Sequence, residues 1–266
     1  MLKFTKIHGI GNDYIYINLN KYNMKNIEET VVKLCDRHFG VGSDGVIFVY
    51  KSDIADFKMR IFNPDGSEAE MCGNGIRGLG KYVYENKLTR KNYISVETKA
   101  GIKYLDLNIT KKVVNTVCVN MGKPIVYDDI ELKVGKNEYK CINISMGNPH
   151  AVIFVDDLEK INIDKVGKNI SENKIFENRT NVEFVKLNDN DNIEIRVYER
   201  GVGETLACGT GACASVVASV INGYTGRDVD VKLLGGSLNI NFDPISNNVF
   251  MSGPAVTVYE GIVHDI

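Results

Sequence analysis

The chain has 266 residues, a formal net charge of −2 and a pI near 6.1, with its lysines and arginines scattered. That balance lacks the basic footprint of a protein that neutralises many phosphates, so nucleic acid is not an expected partner. No apolar run approaches the roughly 18 residues of a membrane span, and the length suits two modest domains better than one large one.

The first residues, Met1 to His8, carry no apolar stretch followed by a small-residue cleavage site, which sets the expectation of a cytoplasmic protein. Ile15 and Ile17 read as a strand. Ile27, Val31, Leu34 and Cys35 then recur at helical spacing behind Asn26, a candidate cap. Val46 to Val49 and Phe57 to Phe62 read as further strands, and Asn63-Pro64-Asp65-Gly66 as the turn that follows. After Cys72 comes a helix whose apolar face includes Ile76, Leu79 and Val83. Val113 to Gly122 is the expected crossing to a second domain. There, Gly211 to Ile221 is small or apolar almost all round, the mark of a buried helix. Beyond Gly253-Pro254, Val256, Val258 and Tyr259 alternate as a strand that returns to complete the first domain.

The chain also matches itself without gaps at an offset of 136 residues, the separation of Cys72 from Cys208. Gly11-Asn12 falls on Gly147-Asn148, Arg60-Ile61-Phe62 on Arg196-Val197-Tyr198, Glu68 on Glu204, and Cys72-Gly73-Asn74-Gly75 on Cys208-Gly209-Thr210-Gly211. The expected fold is therefore α/β of the α+β kind: two pseudo-symmetric domains, each a mixed, barrel-like sheet wrapped around a central helix. The expected boundaries are 1–114 plus 255–266 for the half with Cys72 and 115–254 for the half with Cys208, with the active site in the cleft between them.

Six cysteines in a chain without a secretion signal are expected as reduced thiols. Cys35, Cys118, Cys141 and Cys213 read as buried and inert. Cys72 and Cys208 differ, because they hold the same position in both copies, just before Gly-x-Gly at the start of a helix. Unpaired N–H groups and the positive dipole end there favour a thiolate and a bound carboxylate. Two such thiols on opposite faces of a stereocentre suit one reaction: a thiolate removes a proton from one face while the opposite thiol delivers another. Negative charge developing on the held carboxylate would meet fixed N–H donors, which favours the transition state over the ground state. No Cys-x-x-Cys, histidine cluster or recognisable Schiff-base lysine points to zinc or pyridoxal phosphate, so neither metal nor cofactor is expected.

The motifs His8-Gly9-Ile10-Gly11-Asn12-Asp13, Asn63-Pro64-Asp65-Gly66-Ser67, Met71-Cys72-Gly73-Asn74-Gly75, Gly147-Asn148-Pro149-His150, Asn181, Glu199-Arg200-Gly201 and Ala207-Cys208-Gly209-Thr210-Gly211 resemble, across essentially the whole chain, those of the diaminopimelate epimerase family. The resemblance implies a cofactor-independent isomerase that interconverts LL- and meso-diaminopimelate in lysine and peptidoglycan precursor biosynthesis, cytoplasmic and homodimeric. It makes Cys72 and Cys208 the two bases, supported by His150 and Glu199. Gly73, Asn74, Gly209 and Thr210 would offer main-chain donors to the reacting carboxylate. Asn12, Asn63, Asn148, Asn181, Glu199 and Arg200 would contact the two amino-acid ends, Arg200 pairing a distal carboxylate. Asn12, Asn63 and Asn148 read equally as turn residues. Gly45 stands where some members carry Gln, although the repeat puts Asn181 at the matching position.

Among rivals, a dinucleotide-dependent oxidoreductase draws on Gly73-Asn-Gly75-Ile-Arg-Gly78, which satisfies G-x-G-x-x-G, with Glu97 further on. Its context is wrong: Ser67 to Glu70 is polar where an apolar strand should precede the glycines. Proline racemases generally carry His where this chain has Asn74, phenazine-biosynthesis isomerases lack the cysteine pair, and a catalytically dead binding module would tolerate loss of a cysteine that is present here.

Overall fold

A computed structural model describes residues 1–264. The chain divides into two compact units, Met1–Val119 with the stretch from Gly253 onward, and Asn120–Ser252. The chain leaves the first unit inside the strand Val113–Gly122 and re-enters it inside the strand Val249–Pro254.

In the first unit, Leu2–Gly9 pairs antiparallel with both Asn12–Asn18 and the late strand Val256–Val263. Asn12–Asn18 runs parallel to Val46–Tyr50, which pairs antiparallel with Phe57–Phe62. That strand lies parallel to Tyr93–Thr98, and a meander through Gly101–Thr110 to Val113–Gly122 follows. Helix α1 (Ile27–Cys35) buries Val31 and Leu34 against Phe48 and Phe62. Asn26 precedes it as expected, but its side chain bonds Glu29 rather than a backbone N–H. Helix α2 (Gly73–Glu85) packs against Leu2–Gly9, Asn12–Asn18, Val46–Tyr50 and Gly101–Thr110.

The second unit repeats this order. Pro149–Phe154 runs parallel to Asn181–Leu187, which pairs antiparallel with Asn192–Glu199, and the latter is parallel to Asp228–Leu233. Helices α3 (Ile163–Ser171) and α4 (Gly209–Ile221) have the bounds of α1 and α2 moved by the sequence offset. Strand register is kept too: Ile15 opposes Val46 in the first unit, and Ala151 opposes Val182 in the second. So is an ion pair on adjoining strands, Arg60 Nε to Glu68 at 2.8 Å and Arg196 Nε to Glu204 at 2.6 Å. The turns that open the two halves each place a glycine at positive φ, Gly11 at 92° and Gly147 at 97°, a conformation that other residues adopt only with strain.

Both central helices are enclosed, for different reasons. In α4, residues 211–219 are all buried, and its hydroxyls turn inward on the backbone: Ser215 donates to the Gly211 carbonyl and Ser219 to the Ser215 carbonyl, each at 2.8 Å. In α2 the whole stretch from Gly73 to Val83 is buried, including Arg77 and Lys81, where the sequence had suggested a single apolar face. Arg77 donates to the carbonyls of Gly73 and Pro254, and Lys81 to Glu85 and the Val114 carbonyl. Hydrogen-bonded charges can thus be enclosed where one without partners would cost several kcal/mol (on the order of 3–5).

Candidate active site

Each of the two repeated cysteines is the N-cap of its unit's central helix. Cys72 and Cys208 have extended backbone, φ −137° and −120°, and each sulfur accepts a hydrogen bond from the backbone N–H of the third residue on, Gly75 or Gly211, at 3.4 Å. The second helix therefore starts at Gly209, two residues before the apolar run, because the thiol itself caps it. Little room remains around either first turn. A Cβ at Gly75 would lie 2.7 Å from Ile47 Cδ1, and one at Gly211 would lie 2.6 Å from Glu183 Oε1.

Around Cys72, which is half-buried, stand polar groups of the first unit. The Tyr14 hydroxyl lies 3.4 Å from its sulfur and Asn12 Oδ1 at 3.5 Å. Asn12 is itself oriented: its amide nitrogen donates to Asp44 at 2.9 Å, which leaves Oδ1 turned toward Cys72 and within 3.4 Å of the Asn74 amide nitrogen. Asp44 in turn is held by Arg37 at 2.8 Å, and Arg37 and Lys6 both pair with Asp13. Gly45 has no space for a side chain: a Cβ there would strike the Phe62 carbonyl oxygen and lie 2.8 Å from Tyr14 Cε1. Asn63 is exposed and closes its turn, donating from its amide to Ser67 Oγ at 3.0 Å.

Around Cys208, which is buried, the chemistry differs. His150 is completely enclosed, with Nδ1 2.7 Å from Glu183 Oε1 and Nε2 3.1 Å from Asn148 Oδ1. Asn148 donates to Thr210 Oγ1 at 3.2 Å, and Thr210 Oγ1 is 3.5 Å from the Cys208 sulfur. Glu199 accepts from the Thr205 hydroxyl at 2.6 Å. Burial pushes the Cys208 thiol well above its usual range, and the negative charges of Glu199 and Glu183 push it further, against the hydrogen bonds from Thr210 and Gly211. This corrects the expectation that both helix ends favour thiolate. A helix terminus contributes only about 0.3–1 kcal/mol, less than enclosure and two carboxylates withdraw.

Asn181 is buried, and its Oδ1 accepts from the backbone N–H of Arg200 at 3.0 Å, so it fixes the start of the Glu199-Arg200 loop. The Arg200 side chain is exposed and donates to the Asn178 carbonyl at 3.1 Å. Gly73 and Gly209 open the two helices. The first unit thus gathers Cys72, Gly73, Asn74 and Asn12; the second gathers Cys208, Gly209, Thr210, Asn148, His150 and Glu199.

Sequence reasoning missed two residues, Tyr14 and Glu183. Tyr14 matches His150 in the repeat and Glu183 matches Ile47, so both mark places where the copies diverge. A charged residue within the strand Asn181–Leu187, where its counterpart is apolar, was the available signal. Of the other cysteines, Cys35, Cys141 and Cys213 are buried, whereas Cys118 is half-buried. Burial alone pushes Cys141 up to about 12. Among the described residues, no group of three or more His, Cys, Asp or Glu side chains could hold a metal ion, and no helix is long and apolar enough to cross a membrane.

Comparison with known proteins accords with this geometry. The family model described as diaminopimelate epimerase matches residues 4–127 and 142–258, which include both cysteines. The chain is 48% identical to a diaminopimelate epimerase of Methanococcus maripaludis strain C5, over 98% of this chain and 99% of that one. It is 49% identical to one of Acetivibrio thermocellus, over 98% of each. Among solved structures it resembles a phenazine biosynthesis protein of the PhzF family from Bacillus anthracis (TM-score 0.77, 18% identity, 99% of both chains). A hydroxyproline epimerase from Agrobacterium vitis gives TM-score 0.77 at 12% identity, over 98% of this chain and 91% of that one. At those identities the two structures speak for the fold alone, and it is the sequence match along nearly the whole chain that decides the family. The chain belongs to the diaminopimelate epimerase family.

Proposed function

We propose that this chain is a diaminopimelate epimerase that interconverts LL- and meso-diaminopimelate by moving an α-proton between Cys72 and Cys208 without a cofactor. The observation that carries this reading is the matched pair of cysteines, each capping the N-terminus of a central helix with its sulfur on the third backbone N–H. The family match supports the substrate.

The chemistry needs one thiol on each face of the reacting carbon. One cysteine, as thiolate, takes the α-proton; an S–H bond forms, the C–H bond breaks, and the electron pair spreads into the adjoining carboxylate. N–H groups at Gly73-Asn74 and Gly209-Thr210 would stabilise that charge as it develops. The opposite thiol then gives its proton to the other face and becomes the thiolate, so the enzyme ends the turnover with its two sulfurs exchanged in charge. His150 and Glu199 adjust the field at Cys208, while Asn12, Asn63, Asn148, Asn181 and Arg200 hold the substrate's two ends. The same reading carries a cytoplasmic location and a homodimer, the second of which sedimentation of the purified protein would check.

The deciding experiment is proton NMR in D2O with reduced protein, chelator and LL-diaminopimelate. Deuterium should enter the α-position as meso product appears, and Cys72→Ala or Cys208→Ala should stop epimerisation. Absence of exchange in the wild type would refute the reading.

A further inference from the structure

Tyr14 lies in the strand Asn12–Asn18 and is 7% exposed, so its hydroxyl needs a partner within the protein. The Cys72 sulfur is at 3.4 Å, a normal distance for a bond to sulfur. The ring reaches that sulfur over Gly45, where any side chain would meet Tyr14 Cε1 at 2.8 Å and Cδ1 at 3.1 Å. Backbone bonds lock the two segments together on both sides of the ring: Asp44 N–H donates to the Asp13 carbonyl at 2.9 Å, and Ile15 N–H to the Gly45 carbonyl at 3.1 Å. Enclosure, with Cys72 as the next contribution, pushes the Tyr14 phenol well above 10, so the phenol keeps its proton and acts as a donor.

The repeat shows that this contact is not a consequence of the fold alone. The matching residue, His150, has its ring nitrogens directed at Glu183 and Asn148. The Gly75 backbone N–H also donates to this sulfur, at 3.4 Å, and Tyr14 adds a side-chain hydroxyl to it. The Tyr16 hydroxyl, on the same strand, is committed to the Gly75 carbonyl at 2.8 Å. Asp44, in the loop before Val46–Tyr50, contributes negative charge already paired with Arg37, and Arg77 on α2 donates to the Gly73 carbonyl.

We propose that Tyr14 is a further catalytic residue whose hydroxyl donates a hydrogen bond to the Cys72 sulfur and stabilises its thiolate. A hydrogen bond to a charged group removes enough energy to matter. Its kinetic consequence rests on the epimerase reading, but the contact itself does not.

The test uses the full chain. Iodoacetamide alkylation of Cys72 and Cys208 is followed across pH 6–10 by mass spectrometry of the two cysteine peptides, in wild type and Tyr14→Phe. The midpoint for Cys72 should rise by about one pH unit, with alkylation near pH 7 slowed about tenfold, while Cys208 is unchanged. An unmoved Cys72 midpoint in folded Tyr14→Phe would overturn the proposal. If that variant does not fold, wild type with tyrosine labelled at Cζ serves: the Tyr14 resonance should move as Cys72 ionises and lose that step in Cys72→Ser, and a resonance indifferent to Cys72 overturns it. Epimerase kinetics separate the two readings. A shifted alkylation midpoint with no epimerisation by the wild type would sink the epimerase assignment and keep Tyr14; epimerisation with an unshifted midpoint would do the reverse.

Discussion

The surroundings of Cys72 and Cys208 differ far more than the helices they cap. The backbone device is the same in both halves, a thiol in extended conformation ahead of Gly-x-Gly. Around it, the first half presents a neutral donor, Tyr14, and the oriented amide of Asn12, whereas the second presents the His150–Glu183 pair and the Glu199 carboxylate. One sulfur is half-buried beside a hydroxyl; the other is buried beside negative charge and pushed toward the thiol form. Two identical thiols would have identical proton affinities, and neither would be predisposed to act as acid while the other acts as base. Both halves keep the same backbone device, and divergence of a few side chains gives the two sulfurs different surroundings.

The most severe break of this comparison is removal of either sulfur. Cys72→Ala and Cys208→Ala should each lower epimerisation by at least roughly 10²–10⁴-fold, read as meso product from the LL substrate. Equal and mild losses would mean that the two halves are not acting as a pair. Crowding the helix starts sharpens it. An alanine at Gly211 would press on Glu183 Oε1, which the enclosed His150 holds, while one at Gly75 would press on the mobile end of Ile47. Gly211→Ala should therefore cost about 1–3 kcal/mol in urea unfolding and Gly75→Ala less. The reverse order would show that Glu183 yields more easily than its contacts indicate.

Removing charge next to Cys208 should bring the halves closer together. Because burial first and Glu199 second push that thiol up, Glu199→Gln should move the onset of Cys208 alkylation to lower pH and leave Cys72 in place. Linkage gives the accompanying sign. A thiol raised in the folded protein stabilises fully below the unfolded value, about 8.5, and that contribution is lost as pH rises toward the folded value. Wild type should thus lose stability above about pH 8.5 more steeply than Cys208→Ala. The smallest effect concerns the repeated ion pair. Hydrogen bonding to Arg60, with Lys99 assisting, holds Glu68 down to about 2, below the usual 4.5 of a free glutamate. Its contribution is present above 4.5 and disappears as pH falls toward 2. Acid unfolding of Glu68→Gln should therefore diverge from wild type above that window and converge within it.

What could be read from residues alone follows the physics of each signal. The strand Phe57–Phe62 and helix α1 came directly from apolar periodicity, and the return of Val256–Val263 to Leu2–Gly9 from its alternation. Helix α2 was only half legible, because Arg77 and Lys81 look solvent-facing until partners such as the Pro254 and Val114 carbonyls are brought to them. Asn63 and Arg200 were named, yet the structure gives their side chains a turn hydroxyl and a backbone carbonyl as partners.

The sequence by itself determined the duplication, the two thiols and the family, because a repeat offset and short motifs are linear properties of the chain. Tertiary structure alone decided how the two thiols differ. Proton affinity depends on enclosure and on charges a few ångströms away, and those neighbours are far off along the chain: Tyr14 is 58 residues from Cys72, and Glu183 reaches Cys208 only because its strand packs on α4.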